Sequence, residues 1–214
     1  MSEIVVPASL LYRSLPPSSS LPTGVDSLDG NLPGLPRGAI TEISGLPSSG
    51  KTSLLISILA QATCGGEICA LVDIYNRFDP FSASRAGVLL SNLLWVRCRG
   101  DAGGALKAAD LLLHGGGMGV VCLDICEVPA RILNALPTSY WYRFRRAVEN
   151  TPAILLVLSQ QQNVRSCAAR TLECRHVEIS WTGTGHARLL EGLRAEVALR
   201  KPAPAVAEFS AGTF

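Results

Sequence analysis

The sequence predicts an α/β fold: a mainly parallel sheet with helices on both faces and an antiparallel extension at the C-terminal end. Three observations carry this reading. Strand-length apolar runs alternate with helix-length segments between residues 39 and 160. Those runs are nearly continuous in apolar character, as strands covered on both faces are. From about residue 171 the pattern changes to shorter strand-like stretches joined by Gly183-Thr184-Gly185, which suits antiparallel strands added to one edge.

The elements follow in order. Residues 1–22 end in Leu15-Pro16-Pro17-Ser18-Ser19-Ser20-Leu21-Pro22 and read as an extended arm. Thr23 to Asp29 resembles a short helix start, and Leu35-Pro36-Arg37-Gly38 a turn. Ala39 to Ser44 is a strand and Leu54 to Ala60 an apolar helix. Strands are expected at Ile68 to Asp73, Leu93 to Arg97, Met118 to Asp124 and Ala153 to Gln160. Between them lie helices at Ser82 to Gly87, Ala105 to His114 and Tyr140 to Asn150. The C-terminal extension is read as strands at Leu172 to Ser180, Ala187 to Leu193 and Glu196 to Arg200. The expected division is an arm at 1–22, a core at 23–209 and a short tail at 210–214.

Composition narrows the class. The 214 residues suit one domain with a sizeable core, and a 48% hydrophobic, 17% charged composition suits a well-covered sheet. A net charge of +2 is too small to imply nucleic acid or an anionic membrane by itself. No apolar run reaches the roughly 18 residues of a membrane span, and no basic region followed by an apolar core opens the chain, so a cytoplasmic protein is expected. The seven cysteines form no C-x-x-C pair and lie mostly in apolar segments, which suits buried free thiols.

The chemistry is concentrated in Gly45-Leu46-Pro47-Ser48-Ser49-Gly50-Lys51-Thr52-Ser53, which has the G-x-x-x-x-G-K-[ST] spacing between a strand and a helix. Such a loop turns successive backbone N–H groups onto phosphates, and the helix N-terminus adds positive potential. Gly45, Pro47, Ser48, Ser49, Gly50, Lys51, Thr52 and Ser53 are therefore the expected nucleotide contacts. Lys51 reaches the outer phosphates and the Thr52 hydroxyl ligates Mg²⁺, with ATP as the nucleotide. A second carboxylate is needed for Mg²⁺, and Asp124 closes an apolar strand where that group belongs. Gln160 closes the next strand and is a candidate sensor of the γ-phosphate.

With these residues in place the chain resembles the RecA recombinase family. The likeness runs from Thr23-Gly24-Val25-Asp26-Ser27-Leu28-Asp29 through Gly34-Leu35-Pro36-Arg37-Gly38, the P-loop, Asp73 to Asp79-Pro80 and Asn92-Leu93-Leu94. It continues through Asp124 and Gln160 to Ala203-Pro204 and Glu208-Phe209, covering about residues 23 to 209. The resemblance implies a RecA-like P-loop NTPase core, with ATP and Mg²⁺ as cofactors and Gln160 linking the nucleotide to a DNA-binding loop. Asp79 and Phe81 would lie at the adenine, Phe81 standing beside Ser82, which occupies the family's aromatic position.

The departures are as informative. The family's Asp-x-Glu after the P-loop helix reads Asp73-Ile74-Tyr75-Asn76 here, so Tyr75 stands where a glutamate would activate water. A phenol of pKa near 10 is a poor base at neutral pH, and losing a positioned base costs on the order of 10² to 10⁴ in rate, so hydrolysis is expected to be weak or absent. Little chain separates Glu127-Val128-Pro129 from the Tyr140 helix, and Gln161 to Ala168 is short, which reduces both of the family's DNA-binding loops. This trimmed core resembles the ImuA-type RecA-like proteins. That likeness implies an accessory role in DNA repair, in an SOS-type damage response and translesion mutagenesis. The implied partners are a translesion polymerase-type protein and RecA itself, with DNA contact weak or indirect, no membrane, and a homo-oligomer as one arrangement. A working DNA-dependent recombinase ATPase and a nucleotide-gated regulator without a DNA role are the alternatives.

One cluster lies outside the nucleotide motif. Tyr140-Trp141-Tyr142-Arg143-Phe144-Arg145-Arg146 follows Thr138 and Ser139, either of which suits an N-cap. Helical spacing turns Tyr140, Phe144, Ala147 and Val148 one way and Arg143 and Arg146 another. The arginines are either the solvated edge of a packed helix or contacts for DNA phosphates or a partner, and Arg165 and Arg170 are further DNA candidates. Arg200 or Lys201 is placed by the resemblance near a neighbour's nucleotide.

Overall fold

Near-continuous runs of β-branched and aliphatic residues form the interior strands: Ala39–Ser44 (β3), Cys69–Asp73 (β4), Val120–Asp124 (β6) and Ile154–Ser159 (β7), with Leu93–Arg97 (β5) at one edge. In the computed structural model, which describes residues 20–32, 34–183 and 188–212, these strands pair in parallel. Arg170–Thr182 (β8) continues the parallel sheet on β3, then pairs antiparallel with Leu189–Lys201 (β9), which pairs antiparallel with Ala205–Gly212 (β10). The order across the eight strands is β10-β9-β8-β3-β7-β6-β4-β5. This is a mostly parallel sheet with an antiparallel C-terminal extension.

The extension differs from expectation in one respect. A single thirteen-residue β9 replaces the two strands read at Ala187 to Leu193 and Glu196 to Arg200; Ala187 lies outside the described residues. Arg194 and Ala195, at the presumed break, sit in unbroken register with Ser210 and Phe209 of β10, so the partner strand carries the pairing through a polar residue.

Six helices cover the two faces among the described residues. Asp26–Asp29 (α1) and Lys51–Cys64 (α2) lie on one face, where Leu28, Leu54, Ile58 and Leu59 pack with Ile43, Leu71, Leu156 and Val197. Ala102–Gly115 (α4) and Ser139–Val148 (α6) cover the other, where Leu106, Leu113, Trp141, Phe144 and Val148 pack with Ile40, Val121 and Leu155. Pro80–Arg85 (α3) and Ala130–Ala135 (α5) are single short helices at the sheet's carboxyl end. No helix was expected at α5.

The segment before β3 is held by a polar staple. The Asp29 carboxylate accepts from Thr23 N at 2.7 Å, Thr23 Oγ1 at 2.8 Å and Gly24 N at 3.0 Å, while Ser27 Oγ donates to the Glu208 carbonyl of β10 at 2.6 Å. Of the arm, residues 1–19 lie outside the described residues. Ser20–Leu21 (β1) pairs antiparallel with Leu35–Pro36 (β2). At the amino end of the sheet, buried Arg37 grips Glu67 at 2.9 and 2.5 Å and the Pro152 carbonyl at 3.0 Å. This ties β3, the turn after α2 and the approach to β7 together.

On α6 the buried face is Trp141, Phe144 and Val148. Tyr140 packs only at its margin, 6.0 Å from the Phe144 ring, whereas Trp141 meets Phe144 edge-on at 5.9 Å. The sequence reading had given Tyr140 the place that Trp141 holds. Trp141, Phe144 and Val148 stand at i, i+3 and i+7, so the stripe that meets the sheet runs on the Trp141 side of Tyr140.

Candidate functional site

The strands of the parallel sheet point their carboxyl ends at one rim, where ligands of such sheets bind. At the end of β3 the chain turns through Gly45–Gly50 into α2. Gly45 N donates to the Ser159 carbonyl of β7 at 3.2 Å and Ser49 N to the Leu46 carbonyl at 3.2 Å. The backbone turns through positive φ at Ser48 (61°) and Gly50 (86°). Glycine is required at both ends for different reasons. A Cβ at Gly45 would strike the Ser49 side chain and the Cys174 carbonyl, and one at Gly50 would press on Ala195 Cβ at 2.9 Å and Phe209 at 3.0 Å.

Lys51 opens the fourteen-residue α2 and is buried, with Nζ donating to the Leu46 carbonyl at 3.0 Å across the loop. Ser49 is also buried, and its hydroxyl has no partner among the described residues. Pro47, Ser48 and Thr52 are exposed and Ser53 half-buried. A helix N-terminus, a loop with left-handed residues and a lysine bonded to a loop carbonyl form a cradle that can accept an anion.

Asp124 ends β6 beside Asp73, its register partner on β4. Its Oδ1 accepts from Cys126 N at 2.9 Å. Burial, reinforced by the Asp73 charge, raises the Asp124 pKa, while hydrogen bonds from Cys126 and the Lys51 charge pull it down. Gln160, just beyond β7, is exposed and lines a cavity of about 740 Å³ together with Ser44, Gly45, Leu46 and Ser49. The fold thus brings Gln160 against the glycine loop and Asp124 within electrostatic reach of Lys51.

Asp79 and Phe81 do not line that cavity. Asp79 caps α3, accepting from Phe81 N at 3.1 Å, Ser82 N at 3.2 Å and Ser82 Oγ at 2.5 Å, and these bonds lower its pKa. Phe81 is 70% exposed, with the Arg85 guanidinium 5.8 Å from its ring. Tyr75 is partly exposed beyond the end of β4, and its ring approaches Gly100, on the β5 side and away from β3. Asp73 is buried and already engaged, accepting from Phe78 N at 3.0 Å and Trp95 Nε1 at 3.2 Å. Across the same rim Arg77 donates to Glu127 Oε1 at 2.9 and 2.7 Å, joining the loop after β4 to the loop after β6.

The sequence reading missed Glu42. It stands mid-strand on β3, 1% exposed, and accepts from Ser159 Oγ at 3.2 Å, Asn163 N at 2.6 Å and Val164 N at 3.3 Å. A strand that also carries the glycine loop therefore grips the segment that follows Gln160. Burial raises the Glu42 pKa against the lowering effect of those bonds. A charged residue in the middle of that strand was the signal for it.

The arginine candidates fall in different settings. Arg143 pairs with Asp110 of α4 at 2.5 Å and Arg146 is exposed. Arg165 is exposed at positive φ in a short 3₁₀ turn, Arg165–Cys167. Arg170 is instead buried at the start of β8, with Nε and Nη1 unpartnered and its pKa lowered by burial. In that position it does not offer its charge to the surface. Arg200 is held by Glu173 at 2.8 Å, and Lys201 donates to the Ala168 carbonyl.

A glycine loop between the central strand of an α/β sheet and the next helix defines the P-loop class of nucleotide-binding folds. Within it, the RecA N-terminal domain model matches residues 15–133, more than half of the sequence, and the chain belongs to that family. It is 45% identical to the protein RecA of Methylococcus capsulatus over 106 residues, 49% of this chain and 30% of that protein. It is 42% identical to that of Bartonella tribocorum over 127 residues, 55% of this chain and 36% of that protein. The protein RecA of Thermus aquaticus is 41% identical over 106 residues, 49% of this chain and 31% of that protein. The chain thus spans about a third of the length of the curated relatives it matches. No helix among the described residues is long and apolar enough to cross a membrane.

Proposed function

We propose that this chain binds ATP with Mg²⁺ and serves as an accessory factor in DNA repair, in a damage response of the SOS and translesion type, with weak or no hydrolysis. Lys51 and the loop amides take the phosphates, Thr52 and Asp124 hold the Mg²⁺, and Gln160 senses the γ-phosphate from the cavity wall. Asp79 and Phe81 are the adenine side of the site. Bound Mg²⁺ would neutralise phosphate charge; the chain's own contribution is to hold that charge in a rigid, half-buried loop. A translesion polymerase-type protein is the partner proposed, with RecA as a further one, DNA contact weak or indirect, self-association as one mode of assembly and the cytoplasm as the location.

One observation carries the non-hydrolytic part of this reading. The group two residues past Asp73 is the phenol of Tyr75, and Asp73 itself accepts two hydrogen bonds in the interior. A phenol is a poor acceptor for the proton of an attacking water at neutral pH, and Asp73 is buried with one carboxylate oxygen taken up by two donors. A second reading, a working DNA-dependent ATPase, draws support from Gln160 beside the loop. Nucleotide binding and hydrolysis measured side by side on the wild type, Lys51→Ala and Tyr75→Glu separate them. The accessory reading expects wild-type binding with slow turnover, loss of binding in Lys51→Ala and faster turnover in Tyr75→Glu. Rapid DNA-stimulated turnover by the wild type sinks it.

A further inference from the structure

The groove between the end of α4 and the exposed side of α6 lies outside the nucleotide site. It is an open cavity of about 900 Å³ whose walls include His114, Ser139, Tyr142, Arg143, Arg145 and Arg146. Leu113, His114 and Gly116 of the lining lie a few residues before β6, and Thr151 a few before β7. The groove therefore reaches the amino-terminal edge of the sheet, opposite the rim that carries the glycine loop.

Its chemistry is specific. Tyr142, Arg145 and Arg146 stand at i, i+3 and i+4 on α6, so the ring and two guanidiniums share one strip of helix surface. Tyr142 is 55% exposed, two positions before a Phe144 that is fully buried, so it stands at the surface rather than in the core. Asp110 of α4 neutralises Arg143 at 2.5 Å and lies 3.4 Å from His114, which fixes one wall of the groove to the other. Arg145 and Arg146 belong to no ion pair among those formed by the described residues, and Glu149 is the one carboxylate in the lining. An exposed aromatic face between unneutralised guanidiniums, in a trough open along its length, suits a flexible polyanion with stackable planar groups. A duplex hides its base faces and offers Tyr142 nothing to stack on.

We propose that this groove binds single-stranded nucleic acid, with a base stacked on Tyr142 and the flanking phosphates on Arg145 and Arg146. The inference rests on the DNA-repair reading above and assigns the nucleic-acid contact to a surface separate from the ATP site.

The test is fluorescence anisotropy of a labelled oligothymidylate with the full chain, across a salt series. Tyr142→Ala is expected to weaken binding about 5- to 150-fold with an unchanged salt slope, the range for loss of one stacked base. The double variant Arg145→Gln/Arg146→Gln is expected to lower the slope of log K against log salt by about 1.4, two phosphates at roughly 0.7 each on a single strand. Duplex of the same length binds more weakly and is indifferent to Tyr142→Ala. The side chains are exposed, so all variants are expected to melt with the wild type; equal melting makes a lost affinity a statement about the surface. Lys51→Ala is expected to leave oligonucleotide affinity within about two-fold. Normal ATP binding with no oligonucleotide binding, or binding that neither variant alters, overturns the groove and leaves the nucleotide reading intact. Absent ATP binding with intact, Tyr142-dependent oligonucleotide binding does the reverse. Competition by polyglutamate equal to that by unlabelled oligonucleotide, with no effect of Tyr142→Ala, would assign the groove to an acidic protein partner and also overturn the proposal.

Discussion

Replacing Glu42 by alanine tests whether a carboxylate buried in β3 holds the segment after Gln160. The substitution removes the acceptor of Ser159 Oγ at 3.2 Å, Asn163 N at 2.6 Å and Val164 N at 3.3 Å, in a position 1% exposed. Each buried donor left unpaired costs about 1–3 kcal/mol. The Ser159 hydroxyl can turn elsewhere, whereas the two backbone N–H groups are fixed by the loop. Two orphaned amides and a small cavity, offset by release of a desolvated charge, give a loss of about 3–5 kcal/mol. For a chain of this length that is a fall in Tm of roughly 6–20 °C. Thermal melts and urea unfolding measure the loss, and limited proteolysis between Gln160 and Ala168 reports local release. The sign of the pH effect is a separate check. Because burial raises the folded-state pKa above the ordinary 4.5, the folded state holds the extra proton between those two values. Glu42 therefore contributes stability that is complete below pH 4.5 and is lost as pH rises through the raised value. Glu42→Gln, which has no proton to lose, should abolish that acid-range slope. A Tm within about 2 °C of wild type in Glu42→Ala, together with unchanged protease resistance, would refute the reasoning.

Four further outcomes follow from the same structure. Gly50→Ala forces a left-handed residue and a contact on Ala195 and Phe209, so it should cost about 2–5 kcal/mol in unfolding experiments and weaken binding of a fluorescent ATP analogue as well. Lys51→Ala should lose analogue binding while keeping a melting curve close to wild type, since among the described residues Lys51 bonds only the Leu46 carbonyl. Arg37→Ala breaks the buried pair with Glu67 and should destabilise by about 3–5 kcal/mol in urea, with Arg37→Met recovering part of the loss. Phe144→Ala empties a fully buried site on α6 and should cost about 3–5 kcal/mol, whereas Tyr142→Ala on the same helix should leave Tm nearly unchanged.

Much of the fold was legible because its signals are local. The apolar runs of β3, β4, β6 and β7 can be read without knowing their neighbours. The glycine loop is contiguous, so its spacing and its flanking strand and helix appear together. The candidate site was legible to the extent that its parts sit at strand ends, as Asp124 and Gln160 do. Where the outcome depended on another element, reading from sequence failed. The continuity of β9 through Arg194 comes from β10, and the place of Trp141 in the core comes from the strands beneath α6.

The sequence by itself determined the class of fold, the phosphate-type loop and the presence of Tyr75 two residues past Asp73, because each is a property of adjacent residues. Only the tertiary structure decided which charges are free. Arg170 is shut into the interior, Arg143 is tied to Asp110, Arg200 is tied to Glu173, and Arg145 and Arg146 remain beside an exposed Tyr142. Glu42, silent in the sequence apart from its polarity, proves to join the glycine-loop strand to the segment after Gln160. The physical reason is common to all of these. Availability of a charge depends on desolvation and on partners distant along the chain, and both are set only when the sheet and its covering helices have packed.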